Sequence, residues 1–163
     1  MNDQSQPFVT FADLMSKVGS FLFHWSWLEQ ELSKSIVEMR EALGDKPMPV
    51  RGELKKRLDI WSKLLERTGI ADDQIDIANA VVEQALAIKA IRNIIVHGLW
   101  GGDTDSPSIE CVVSGYEEPD GKRVRYSLDD LEQFTQATDA CRRAFIDLSY
   151  FNYMLDRPLA VSN

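Results

Sequence analysis

Residues 21–43 carry one apolar stripe with a helical period, and no other feature constrains the fold as strongly. Apolar side chains recur there at alternating steps of three and four residues, at Phe21, Trp25, Leu28, Leu32, Ile36, Met39 and Leu43. Residues three and four apart share one face of an α-helix, so the spacing predicts one long helix with a buried face.

Local signals mark the two ends of this first helix. Thr10 and Asp13 have the spacing of a capping box, which predicts a start at Thr10. Gly44 is a typical C-terminal cap and predicts the end. The Gly19–Ser20 pair leaves two alternatives open, because it can bend the helix or split a short helix from it.

Three further helices follow from the same kind of pattern. The second is predicted over about Val50–Arg67, and the third from Asp72 or its neighbour to about His97. The last is predicted to open at Ser127. The third helix is apolar on more than one side, which favours a central place in a bundle or a place at a subunit interface.

A short β-structure is expected between the third and the last helix. IECVVSGY and KRVRYS have the composition of strands, and EEPDG between them contains a Pro-Asp-Gly turn signal. We therefore predict a single all-α domain over residues 1–163. It is an antiparallel bundle of four to five helices, with a β-hairpin at about 109–126 inserted before the last helix.

Composition limits the possible partners. The 163-residue chain is 44% hydrophobic and 27% charged, has two cysteines without CxxC spacing, and carries a formal net charge of −8. We expect reduced thiols, a cytoplasmic location and no association with a membrane, because there is neither a signal-peptide pattern nor a long apolar run. The acidity argues against general nucleic-acid coating, which requires a basic face.

Polar residues interrupt the apolar end of the third helix. Arg92, Asn93 and His97 stand among isoleucines and a valine in the stretch IRNIIVHGLW. Histidine can exchange a proton near neutral pH, and arginine can hold a phosphate. Asn93 and His97 are four residues apart and can touch, whereas Arg92 and His97 are about 140° apart around an ideal helix. They converge only if the arginine curls, the helix end unwinds, or two copies of the helix meet.

The stretch R-N-I-I-V-H resembles the R-x4-6-H motif of HEPN domains (higher eukaryotes and prokaryotes nucleotide-binding). The preceding F-x-x-x-W-x-x-L-E-Q-E-L and the following H-G-x-W are similar to segments of several bacterial families of this kind. The resemblance implies a helical bundle that forms a homodimer, with a composite cleft built from two motif copies. It also implies metal-independent cleavage of RNA by Arg92, Asn93 and His97, in a defence or toxin–antitoxin setting with an antitoxin-like protein partner.

Other residues have both a functional and a structural interpretation. Lys122, Arg123 and Arg125 form the densest basic run, which can contact RNA phosphates or protect an edge strand. Trp100 can stack on a base or close the end of the bundle. No carboxylate cluster with metal-ligand spacing accompanies the motif, so we expect neither a metal nor a cofactor.

Two further residues and two alternative functions remain open. Glu29 can pair with Arg92 across the bundle or face water, and His24 is more simply a hydrogen-bonded histidine than a functional one. The chain can also be a non-catalytic module that dimerises through its third helix and binds a protein or a nucleotide. A weaker alternative is an acidic protein that masks a basic effector.

Overall fold

The computed structural model describes residues 10–102, 109–115 and 118–155. Four helices carry most of this chain: α1 (Phe11–Ala42), α2 (Leu54–Arg67), α3 (Asp72–His97) and α4 (Leu128–Leu155). Three strands lie between α3 and α4: β1 (Leu99–Gly102), β2 (Ile109–Gly115) and β3 (Glu118–Tyr126). The prediction of a helical bundle is confirmed.

Helix α1 forms as its sequence predicts. Thr10 caps it, with its Oγ1 accepting from the Asp13 amide while the Asp13 carboxylate accepts from the Thr10 amide. All members of the predicted stripe are buried except Leu43, which is the C-cap. The helix continues through Gly19 without a break, because the stripe on either side is covered by the same neighbouring helix, α4.

Helices α1 and α4 form the most extensive helix pair, and they run in the same direction. Lys17 pairs with Glu132 near the start of both helices, and Ser35 contacts Ser149 far along both. Helices α1 and α2 also run in the same direction, because Arg57 contacts Glu29 and, further along both helices, Trp61 contacts Ser35. The prediction of an antiparallel bundle is therefore wrong for these pairs.

Residues 43–53 explain this parallel arrangement of α1 and α2. The connection contains Pro47 and Pro49, is not helical, and is long enough to carry the chain back along α1 before α2 begins. Helix α2 starts at Leu54, four residues later than predicted, and Gly52 just before it adopts a φ of 112° that other residues rarely take.

Helices α2 and α3 do form an antiparallel pair. A tight connection containing Gly69, with φ of 72°, ends α2 and leads into α3. At the other end of the pair, Lys89 of α3 lies against Glu53, the N-cap of α2. The last turns of α3 carry the motif residues Arg92, Asn93 and His97. This pairing brings them close to the start of α2.

The β-structure is a three-stranded antiparallel sheet in the order β1-β2-β3. The prediction of two strands missed β1, which pairs Leu99 with Val112 directly after α3 ends. Pro119, Asp120 and Gly121 lie within β3 rather than in the connecting turn. The register shifts between Val113 and Gly115, so these residues occupy a bulge, which suits a proline that cannot donate to the sheet.

Trp61 lies at the centre of the core, where α1, α2 and α4 meet. Its indole Nε1 donates to Ser35 Oγ at 2.9 Å, and its ring packs edge-on against Phe145 at 4.9 Å. Ser35 Oγ also contacts Ser149 Oγ, which in turn donates to the Phe145 carbonyl at 2.7 Å. The polar groups of Trp61, Ser35 and Ser149 therefore all have partners, as a low-dielectric core requires. None of the described helices has the length and hydropathy needed to cross a membrane.

Candidate functional site

Arg92 occupies a core-facing position of α3. It lies between Ile88 and Ile95, which are both buried and share its face of the helix. The arginine itself is half-buried, because its aliphatic stem packs inside while the guanidinium reaches an opening. The sequence thus places a permanent cation at a position where the pattern calls for an aliphatic side chain.

The guanidinium enters an open cleft of about 290 Å³ between three helices. The cleft is lined by Trp25 and Glu29 of α1, Glu53 and Leu54 at the start of α2, and Lys89, Arg92 and Asn93 of α3. Its apolar wall is formed by the edge of Trp25, which is otherwise buried, and by Leu54. A ligand in this cleft would meet several charged groups on a rigid helical frame.

The two carboxylates of the cleft are already paired with other cations. Glu29 pairs with Arg57, and Glu53 Oε2 lies 4.0 Å from Lys89 Nζ. Arg92 forms no ion pair with any residue that the structure describes, and its buried Nε has no hydrogen-bond partner there. An unsatisfied buried donor costs roughly 1–3 kcal/mol, and the Nε of Arg57 nearby is also buried without a partner among the described residues.

Asn93 contacts Arg92 rather than His97. Its Oδ1 accepts from Arg92 Nη1 at a long 3.3 Å, and both groups are at the mouth of the cleft. The sequence suggested that Asn93 orients the histidine. In the structure its hydrogen-bond partner is the neighbouring arginine instead.

His97 is the last residue of α3 and is exposed. Its ring forms no hydrogen bond or ion pair within the described part of the chain, and it does not line the cleft. The helix remains regular up to Gly98, whose amide donates to the Ile94 carbonyl at 2.9 Å, so no unwinding turns His97 towards Arg92. A single chain therefore does not bring the two motif residues together.

The predicted substrate-binding residues lie on the sheet. Trp100 is on β1, and Lys122 and Arg123 are on β3, but their side chains are outside the described part of the structure. Arg125 pairs in register with Glu110 and is exposed. Arg125, whose side chain is described, does not line the cleft that contains Arg92.

Two open interpretations are resolved by the contacts. Glu29 pairs with Arg57, not with Arg92. His24 is half-buried, and its Nδ1 lies 2.8 Å from the Ser20 carbonyl, so it is a hydrogen-bonded histidine of α1. Its ring also packs on Trp27, over which the Arg142 guanidinium stacks at 4.5 Å. These groups form a separate surface cluster on α1 and α4.

Sequence reasoning missed Lys89, Glu53 and Arg57 as neighbours of the motif. Lys89 stands three residues before Arg92 and therefore shares its side of α3, which was a usable signal. Glu53 is the N-cap of α2 and Arg57 lies in its first turns, and no local pattern relates them to residues 29 or 92. Among the described residues, no group of three histidine, cysteine, aspartate or glutamate side chains is close enough to hold a metal ion.

Comparisons with known proteins add no relative to this geometry. No protein-family model matches the sequence, and neither a curated protein nor a solved structure matches the chain.

Proposed function

We propose that this protein is a HEPN-like, metal-independent endoribonuclease that acts as a homodimer. The observation that carries the proposal is the state of Arg92. Its guanidinium stands in an open cleft whose carboxylates are paired elsewhere, and its buried Nε has no partner among the described residues. Such an arginine is suited to bind a phosphate, because two parallel N–H groups match two phosphate oxygens.

The proposed chemistry uses the RNA's own 2′-hydroxyl as the nucleophile. Its oxygen attacks the adjacent phosphorus while the bond from phosphorus to the 5′-oxygen breaks. A base accepts the 2′-proton, and an acid gives a proton to the departing 5′-oxygen, leaving a 2′,3′-cyclic phosphate and a 5′-hydroxyl. We assign these transfers to His97, because histidine is the side chain that most often serves as a general acid or base, and Arg92 would stabilise the extra charge on the phosphorus oxygens.

The dimer is part of the proposal because one chain separates the two groups. Arg92 is directed into the cleft, and His97 is exposed about 140° away around α3. A second copy that packs against the end of α3 would bring its own His97 near this Arg92. Val96, which is 41% exposed beside His97, gives the end of α3 an apolar residue that such a contact would cover.

The net charge of −8 opposes the approach of RNA, but it does not describe the cleft. The side chains that line the cleft carry two negative charges, on Glu29 and Glu53, and two positive charges, on Lys89 and Arg92. Arg57, which pairs with Glu29 from behind the lining, adds one further positive charge. The proposal thus predicts local binding of a few nucleotides rather than binding along a basic face, and a weak dependence of affinity on salt.

Cleavage of a mixed pool of labelled RNAs in EDTA tests the proposal. The wild type is expected to cleave, and His97→Ala to lose roughly 100-fold or more in rate, as removal of a general acid or base does. His24→Ala is the matched control, because it removes the protein's other histidine and should leave cleavage unchanged. Equal cleavage by wild type and His97→Ala, or none by any of the three, would refute the proposal.

A non-catalytic dimeric module, which binds a protein or a nucleotide, is the second candidate. One observation favours it: Arg92 and His97 do not meet within a chain. In that case Arg92 would still bind an anion. A binding signal that is lost in Arg92→Gln, without cleavage of any RNA in the pool, would identify this alternative.

A further inference from the structure

Glu29 belongs to two environments at once. Its side chain lines the cleft that contains Arg92, yet its carboxylate Oε1 is bound by Nη2 of Arg57 from α2. The Glu29 side chain is 34% exposed and that of Arg57 only 13%, so the pair lies at the inner wall of the cleft. Glu29 is therefore a negative charge within the site that is held by a cation from outside its lining.

Arg57 is bound at several points on α1. Nη1 donates to the Glu29 carbonyl at 3.4 Å and to Ser33 Oγ at 3.2 Å, in addition to the contact of Nη2 with the carboxylate. The Ser33 hydroxyl itself donates to the Glu29 carbonyl at 3.0 Å. The fork geometry of a guanidinium permits this set of contacts, whereas a lysine ammonium would reach fewer of them.

From these contacts we propose that Arg57 is a positioning residue, which holds the Glu29 carboxylate away from Arg92 and thereby keeps Arg92 available for a phosphate group. The inference rests on the proposed function, because it assumes that Arg92 binds the phosphate of the substrate. It adds that the Arg57–Glu29 ion pair keeps the positive charge of Arg92 from being neutralised by Glu29. Without Arg57, Glu29 would compete with the phosphate for the same guanidinium.

The competition follows from the charges of the cleft. Lys89 is already beside Glu53, so Arg92 is the cation lining the cleft that has no carboxylate partner among the described residues. A half-buried carboxylate that loses its partner is destabilised and moves towards the remaining cation. Arg92 would then be neutralised from within the protein.

The test measures binding of inorganic phosphate by the arginine Nε–Hε signals in NMR spectra of the full chain. In the wild type, phosphate should shift the Arg92 signal, which Arg92→Gln identifies by removing it. Arg57→Gln should weaken phosphate binding roughly fivefold. Glu29→Gln in the same chain should restore it to within about twofold of the wild type, because the competing charge is gone.

Arg67→Gln is the matched control. It removes an arginine from the same helix and breaks the exposed Arg67–Asp45 ion pair, at the opposite end of α2 from the cleft. Phosphate binding should be unchanged in it. If Arg57→Gln does not fold, Arg57→Lys takes its place, with a smaller loss of affinity that Glu29→Gln again reverses.

The outcomes separate this inference from the proposed function. Phosphate affinity in Arg57→Gln equal to that of the wild type would overturn the inference, as would a double variant that binds as weakly as Arg57→Gln. If phosphate still shifts the Arg92 signal of the wild type in either case, the proposed phosphate site stands. If the wild type itself does not bind phosphate through Arg92, the proposed function fails first.

Discussion

Arg92 and His97 lie on different sides of α3, with Arg92 in the cleft beside α1 and α2 and His97 exposed to solvent. Because they do not meet within one chain, the proposed composite site takes them from two chains. Arg92→Gln and His97→Ala are each expected to be inactive alone, whereas a mixture of the two should regain RNA cleavage. In the mixed dimer, the intact arginine of one chain meets the intact histidine of the other.

The mixing experiment is measured as cleavage of labelled RNA after the two variants have exchanged subunits. A chain with both substitutions is the control, because neither single variant can form an intact pair with it. If tagged subunits show that mixed dimers form and no cleavage returns, the composite arrangement is refuted.

Ser35 is expected to be a sensitive position of the core. Replacing it with alanine leaves the Trp61 indole N–H without its acceptor and removes the contact with Ser149. Leaving a buried donor unsatisfied should lower the free energy of unfolding by about 1–3 kcal/mol. Urea denaturation measures this, and Ser26→Ala, an exposed change on the same helix, should stay within about 0.5 kcal/mol of the wild type.

The start of α4 should contribute stability that depends on pH. The Asp130 carboxylate accepts hydrogen bonds from the amide and hydroxyl of Ser127, which lower the pKa of Asp130 below its ordinary value of 3.8. A group with a lowered pKa in the folded state stabilises the fold above its unfolded pKa, and this contribution is lost as the pH falls through the folded pKa.

Asp130→Asn should therefore be less stable than the wild type at pH 7, and the difference should shrink below about pH 4. Ser127→Ala removes the cap itself and should cost about 1 kcal/mol at pH 7. Thermal unfolding of the three proteins between pH 3 and pH 7 measures both effects. A difference for Asp130→Asn that persists unchanged at pH 3 would contradict the assignment.

Cys141 is expected to resist alkylation in the native protein. It is buried on α4 under the Val81 carbonyl, and this burial raises its pKa to about 11 because the thiolate loses solvation. Little of the reactive thiolate is present at pH 8. Iodoacetamide treatment followed by peptide mass spectrometry should find Cys141 unmodified until urea is added, and rapid native labelling would show that the site opens.

The sequence predicted what depends on neighbouring residues. The capping pairs at Thr10 and Ser127 and the buried stripe of α1 are local patterns, and the structure contains each of them. The parallel direction of α1 and α4 was missed because a stripe specifies which face is buried but not which way its partner runs. The start of α2 was placed too early because an apolar period does not reveal the positive φ of Gly52.

For the candidate site, too, the sequence predicted the residues of one local motif but not the pairing between helices. The motif indicated Arg92 and Asn93, which do line one cleft. The partner of Glu29 was left open between Arg92 and water, and the actual partner, Arg57, stands 28 residues away on another helix. Which side chains pair across two helices depends on how the helices are shifted relative to one another along the bundle axis. A single sequence does not contain that information in any local pattern.

The contact between α1 and α4 also has a consequence for folding. It joins residues more than 100 positions apart, such as Lys17 and Glu132, whereas α2 and α3 are neighbours along the chain. During synthesis the α2–α3 hairpin can form early and cover part of α1, but the side of α1 that packs on α4 stays uncovered until α4 has left the ribosome. For most of the time that the chain is being made, the side of its longest helix that α4 later covers would therefore stay exposed, where a chaperone could bind it.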